Sequence, residues 1–183
     1  MSVLRMDPMR IIDTYYYNND ALRDILVRHS RAVAAKALDV VDRHPELGLD
    51  RQFVAEAAML HDIGIFLTDA PSICCHGTYP YICHGYLGAD LMRSLGYDRH
   101  ALVCERHTGA GISLQTIIDK DLPLPHRDLR PVSMEEQVVC YADKFFSKTS
   151  LDKEKSVERA LRSISKYGEE GVGRFMTWLR LFG

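Results

Sequence analysis

Residues 57–70, AAMLHDIGIFLTDA, set a histidine and an aspartate side by side at the end of an apolar helical run. A carboxylate buried alone is costly, or it titrates until it is neutral. Whatever this chain folds into must bring compensating groups to His61 and Asp62. That requirement constrains the architecture more than any other feature of the sequence.

The surrounding pattern is helical. No clean two-residue alternation appears, and no hairpin turn separates β-branched runs. A short helix is expected near 8–17. A long one follows at 20–44, with Asp20 as N-cap and Leu22, Leu26, Val33, Ala37 and Val40 on one face. Residues 51–63 read as the next helix, with Gly64 just past its end as the stop. TDAPSICCHGTYPYIC reads as loop, 84–95 and 98–107 as two helices, and DLPLPHRDLRP as a second connector. Ser133 and Glu136 form a capping box ahead of another helix. One or two amphipathic helices follow from 153, closing on Phe175, Met176, Leu179 and Phe182. The expectation is an all-α chain, a single domain over 1–183. Its motif-bearing core is 20–148 and its C-terminal helical extension 149–183.

A length of 183 residues is enough for a full core, and a net charge of −2 argues against a nucleic-acid surface or a polybasic membrane anchor. MSVLRMDPMRIID carries charges where a signal peptide needs an apolar run. Five cysteines, an odd count without small-scaffold spacing, fit a reduced, cytoplasmic setting. The C-terminal FMTWLRLFG can dock on its own domain or on a second copy, which would make a homodimer.

Five helical segments aim a polar residue at the interior. His29 lies between Leu26 and Val33, His61 four residues after Ala57 with Asp62 next to it, and His84 ahead of Leu87 and Leu91. His107 follows Val103 and Cys104, and Asp143 sits between Val139 and Phe146. One such histidine is more often a hydrogen-bonded core residue than a ligand; His44, His76, His100 and His126 are read that way. The conjunction of the other six groups is different. Four imidazoles and two carboxylates converging on one place suit divalent transition-metal ions, iron or manganese first, with zinc, cobalt or nickel as alternatives. Six ligands exceed what one catalytic metal with an open position needs, so two ions with a bridging aspartate are expected. A rival zinc site at Cys74, Cys75, His76, Cys83 and His84 lacks paired-cysteine spacing.

HDIG at 61–64, preceded by RHSRAVAAKAL at 28–38 and followed by YADK at 141–144, resembles the HD-domain metal-dependent phosphohydrolase superfamily. HGYLGADLM at 84–92 and ERHTGAGIS at 105–113 resemble the extra histidine segments of its dinuclear branch, close to the small YqeK-type hydrolases. The resemblance implies an HD-domain helical bundle, with one metal held by His29, His61, Asp62 and Asp143. It implies a second held by His84 and His107, with Asp62 bridging. The implied activity is hydrolysis of a small phosphorylated substrate, a nucleotide or other phosphate ester or anhydride, by a metal-activated hydroxide. No nucleic-acid or membrane partner is expected. Asp62 is the expected catalytic bridge, and Lys144 and Arg106 the expected phosphate-binding cations, with Lys148 and Arg28 as weaker candidates. The alternative chemistry within the superfamily is a diiron oxygenase acting on a small organic substrate. A non-catalytic HD module, which loses ligands, fits less well.

Overall fold

The computed structural model describes residues 6–183; the first five residues, MSVLR, to which part of the N-terminal reading applies, lie outside that range. Nine α-helices account for most of the described chain: α1 (Pro8–Tyr16), α2 (Asp20–Arg43), α3 (Arg51–Leu60), α4 (His84–Ser94), α5 (Asp98–Arg106), α6 (Leu114–Asp119), α7 (Met134–Asp143), α8 (Val157–Ile164) and α9 (Glu169–Phe182). The fold is the expected helical bundle. No described helix is long and apolar enough to cross a membrane.

Local chemistry explains most helix starts. The Asp7 carboxylate caps α1 ahead of Pro8 at the first helical position, and Asp50 accepts from Phe53 N at α3. Ser133 and Glu136 form the reciprocal capping box of α7. The cap of α2 is Asn19 rather than Asp20: the Asn19 side chain accepts from Leu22 N, which leaves Asp20 inside the first turn, where its charge suits the helix dipole.

Two further expectations need correction. The segment after His61 holds a small three-stranded sheet: β1 (Thr68–Ala70) lies between β2 (Cys75–His76), antiparallel to it, and β3 (Tyr79–Pro80), parallel to it. Strands this short carry too few residues for alternation to show. The helix expected over 51–63 ends at Leu60, so His61 and Asp62 occupy the turn beyond it.

Gly64 is not a left-handed helix stop, because its φ is −84°. It is required by packing. A Cβ there would lie 2.4 Å from His84 O and 2.5 Å from Gly88 N, and one on Gly85 would lie 2.8 Å from Cys104 O. These glycines let the HD turn, α4 and α5 approach backbone to backbone. Gly64→Ala should therefore push α4 away from the turn, lowering stability by about 1–3 kcal/mol, the usual range for overpacking, and loosening His84. Thermal denaturation alongside metal analysis checks this; a variant with wild-type midpoint and metal content would refute the packing role.

Apolar residues gather on two sides of the HD turn. One cluster joins Val33, Ala37 and Val40 of α2 to α3, α7, α8 and α9. The other joins Leu22 and Leu26 of α2 to α1, α4 and α5. His29 falls between Leu26 and Val33, where the clusters meet. The C-terminal helix docks on its own chain: Trp178 and Phe182 are buried, Tyr141 packs against Phe175 and Phe182, and Trp178 Nε1 donates to Gln137 Oε1 at 2.9 Å. Burying each such side chain stabilises the fold by about 1.5–3 kcal/mol.

Candidate metal centre

Helix ends deliver the polar residues. His61 and Asp62 follow the last turn of α3, His84 begins α4, His107 follows α5, Asp143 ends α7, and His29 projects from the middle of α2. All six come together. The ligand atoms of His29, His61, Asp62 and Asp143 lie within 4.8 Å of one another, and so do those of Asp62, His84 and His107. Ligands about 2.0–2.2 Å from one ion can be at most about 4.4 Å apart, so each group needs only a small contraction to close on a cation.

Asp62 is the hub. Its Oδ2 is 3.1 Å from His29 Nε2 and 3.0 Å from His61 Nε2, while its Oδ1 is 3.3 Å from both His84 Nε2 and His107 Nε2. Asp143 Oδ1 approaches His29 Nε2 at 3.0 Å and His61 Nε2 at 3.3 Å. One carboxylate thus faces two donor groups, one oxygen to each. Both His61 and Asp62 are fully buried.

Three imidazoles are fixed from behind. His61 Nδ1 donates to Ala58 O at 2.7 Å, His84 Nδ1 to Tyr81 O at 2.6 Å and His107 Nδ1 to Cys104 O at 2.7 Å. A carbonyl can only accept, so the Nδ1 atoms carry protons and the Nε2 lone pairs face inward, the arrangement metal-ligating histidines use. The Nε2 atoms of His84 and His107 stand 3.0 Å apart. Asp62 Oδ1 and His61 Nε2 gain no aligned hydrogen bond among the described residues, although both are buried, and Asp62 Oδ2 has the Lys148 ammonium beside it at 2.5 Å. Close approach without satisfied hydrogen bonds is costly unless a cation sits among the donors. The residues therefore fit a divalent pair: His29, His61, Asp62 and Asp143 on one side, Asp62, His84 and His107 on the other.

The electrostatics agree. Burial opposes charge on Asp62, but Lys148 and the imidazoles hold it well below the usual carboxylate range. Burial likewise opposes charge on Asp143, and Lys144, His29 and His61 outweigh it. Burial lowers His107 to about 4 against the pull of Asp62, keeping its ring neutral and its lone pair available. At His61, Asp62 and Asp143 outweigh burial and raise the ring to about 10. Without a cation its Nε2 therefore also carries a proton, which a metal ion bound there would displace.

A cavity of about 300 Å³ opens onto His29, His84, His107 and Asp143. Lys144 and Lys148 line it. Lys148 Nζ lies 2.5 Å from Asp62 Oδ2; Lys144 Nζ lies 2.8 Å from Asp143 Oδ2 and donates to His107 O at 2.7 Å. Lys148, the weaker candidate from sequence, is the cation nearest the hub. Arg106 is elsewhere: its guanidinium pairs with Glu136 at 2.9 Å and clamps α5 to the start of α7. Arg28 pairs with Asp152 at 2.6 Å on the exposed side of α2. Neither lines the cavity.

Sequence reasoning missed Tyr81, Tyr167 and Lys155, all in the cavity wall. Tyr81 had a usable signal, because it precedes His84 by three residues; its carbonyl accepts a hydrogen bond from His84 Nδ1 and its ring stacks on the imidazole at 4.6 Å. Among Tyr15, Tyr16 and Tyr17, Tyr16 is buried with its hydroxyl donating to Ile63 O at 2.8 Å, and Tyr17 is exposed. The five cysteines are free, and no cysteine enters a metal-competent group among the described residues.

A buried, helix-borne array of histidine and aspartate of this kind defines an HD-type centre, and residues 26–147 match the HD domain family; the chain belongs to it. Over 121 residues it is 37% identical to an uncharacterized protein of Methanocaldococcus jannaschii, covering 64% of each chain. It is also 33% identical over 157 residues to a tRNA (cytidine(56)-2'-O)-methyltransferase of Picrophilus torridus, covering 80% of this chain and 41% of that protein. A like-named protein of Thermoplasma volcanium is 28% identical over 160 residues, 87% of this chain and 42% of that one. The chain therefore spans less than two thirds of the length of each of these relatives. No solved structure matches it significantly.

Proposed function

We propose that this protein is a metal-dependent phosphohydrolase acting on a small phosphate ester or anhydride, a nucleotide foremost. The observation that carries the reading is the conjunction of the six-ligand array with two lysines at the wall of one cavity. A bound pair of divalent transition-metal ions, with iron or manganese the best match to the donors, would supply an activated water and neutralise charge on the phosphoryl group.

The chain's own residues would do the rest. Asp62 sets the separation of the two donor groups, because one oxygen serves each. Lys144 and Lys148 bring ammonium groups to the site, and turning toward substrate would let them offset charge on phosphate oxygens as it builds. Burial pushes the Tyr81 phenol up to about 12, so it stays protonated and can donate to a substrate oxygen. Ile73, Phe146 and Ile164 form apolar wall that limits water around the reacting group.

The names of the two methyltransferase relatives describe proteins more than twice as long as the segment matched here. In this reading they contribute one candidate substrate class, an RNA phosphate, to be included among the probes. Manganese- or iron-loaded protein should release phosphate from a member of a panel of nucleotides, aryl phosphates and a 5′-phosphorylated RNA. Oxygen consumption with an organic substrate, and no phosphate release from any member, would replace the proposal with the oxygenase alternative.

A further inference from the structure

A second concavity, of about 230 Å³, adjoins the cavity of the metal centre. It is formed by Lys155, Arg159, Arg162, Ser163 and Lys166, and two of these, Lys155 and Ser163, also line the main cavity. The two spaces share a wall. Arg159, Arg162 and Lys166 recur at helical spacing along α8 and the turn beyond it, so their stems leave one face. The segment is anchored beneath: Lys155 N donates to Phe145 O at 2.7 Å, and Ser156 caps α8.

These cations lack acidic partners. Among the described residues, no carboxylate lies within ion-pair distance of Lys155, Arg159, Arg162 or Lys166. Glu158 is held below its usual range first by a hydrogen bond with Ser156, with Arg162 acting only at longer range. Much of the remaining surface is neutralised: Arg23 pairs with Asp13, Arg43 with Asp39, Arg51 with Asp42, Arg93 and Arg127 with Glu105, and Arg130 with Asp128. In a chain of net charge −2, an unpaired positive strip at the mouth of the site is a local arrangement. Burial first, and then the charges of Lys144, Lys148 and Arg159, lower the Lys155 ammonium below its usual range against the pull of Asp143.

We propose that the face of α8 is a second phosphate subsite, and that the substrate hydrolysed at the metal centre carries a further phosphate held by Lys155, Arg159, Arg162 and Lys166. The inference rests on the phosphohydrolase reading and extends it from a phosphate ester in general to a molecule bearing at least two phosphates. Phosphate on arginine is a strong, charge-assisted contact. Because the strip is exposed, the attraction weakens with salt.

The test is binding to manganese-loaded protein by calorimetry, using adenosine 5′-monophosphate, 5′-diphosphate and 3′,5′-bisphosphate and a 5′-phosphorylated RNA pentamer. In each probe the 5′-ester oxygen, and in the diphosphate also the bridging oxygen, is replaced by methylene so that no turnover at the 5′ group is needed. At least one probe with more than one phosphate should bind about tenfold more tightly than the monophosphate, a difference of about 1.4 kcal/mol. The variant Arg159→Gln with Arg162→Gln should erase that difference while changing monophosphate affinity less than twofold. Arg159→Lys with Arg162→Lys should restore part of it. A gain shared by the nucleotides assigns the second phosphate to a small molecule, and a gain confined to the pentamer assigns it to a nucleic-acid backbone. No gain for any probe, or a gain that survives in the glutamine variant, overturns the proposal. Both arginines are exposed, so an unchanged thermal midpoint is expected of the variants. Phosphate release from the unmodified nucleotides is scored separately. Its absence would sink the hydrolase reading whatever the binding ratio, and its presence without a binding preference would sink only the subsite.

Discussion

Asp62→Ala should leave the protein unable to retain its metals and lower kcat/KM by at least about a thousandfold, the scale expected when an electrostatic centre of catalysis is removed. Asp62 touches both donor groups, so no other single substitution takes a ligand from each. The variant carries a folding penalty as well. Lys148 would keep its buried ammonium beside a missing carboxylate, and breaking a buried pair from one side costs about 3–5 kcal/mol. Asp62→Asn keeps the shape and serves as the control. Metal content by mass spectrometry and turnover on an aryl phosphate are the measurements. A folded Asp62→Asn protein with wild-type phosphatase activity would place the chemistry somewhere else in the molecule.

Chelation should have the second-largest effect. Protein purified without chelator is expected to carry close to two transition-metal ions per chain. Stripping them should abolish turnover and lower the thermal midpoint. An ion present at about a hundred times its dissociation constant stabilises the fold by about 2.7 kcal/mol. For a domain of this size that is a shift of about 5–10 °C. Adding manganese or ferrous iron back should restore both. His84→Ala should separate the two donor groups, reducing the content to about one ion while His29, His61, Asp62 and Asp143 keep theirs. A preparation that holds no metal, melts at the same temperature with and without chelator, and stays inactive when metal is added would count against the whole reading.

The bundle and the six groups that converge were legible in the sequence because each rests on a local pattern. His29 between Leu26 and Val33, or Asp143 between Val139 and Phe146, is anomalous wherever helical periodicity is strong. What was hidden depends on residues far apart in the chain. Gly64 looks like a helix stop until α4 is docked against it. Arg106 looks like a substrate cation until Glu136, thirty positions later, comes beside it. The strands at 68–80 have two or three residues each, and pairing alone defines them. The positive face of α8 reads as an ordinary solvated surface, since nothing in the chain reveals that α8 ends up beside the cavity.

The carbonyl tethers behind His61, His84 and His107 bear on how the centre chooses its ions. Each ring is held by a backbone atom three positions earlier in its own chain segment, so its aim is set locally. The aperture between opposing rings is then governed by how the helical rods seat against one another, and side-chain rotation contributes little. If the centre binds cations as proposed, selectivity among ions of different radius would be a property of the distant apolar packing, and a methyl group lost far from any of the six groups would be expected to retune it.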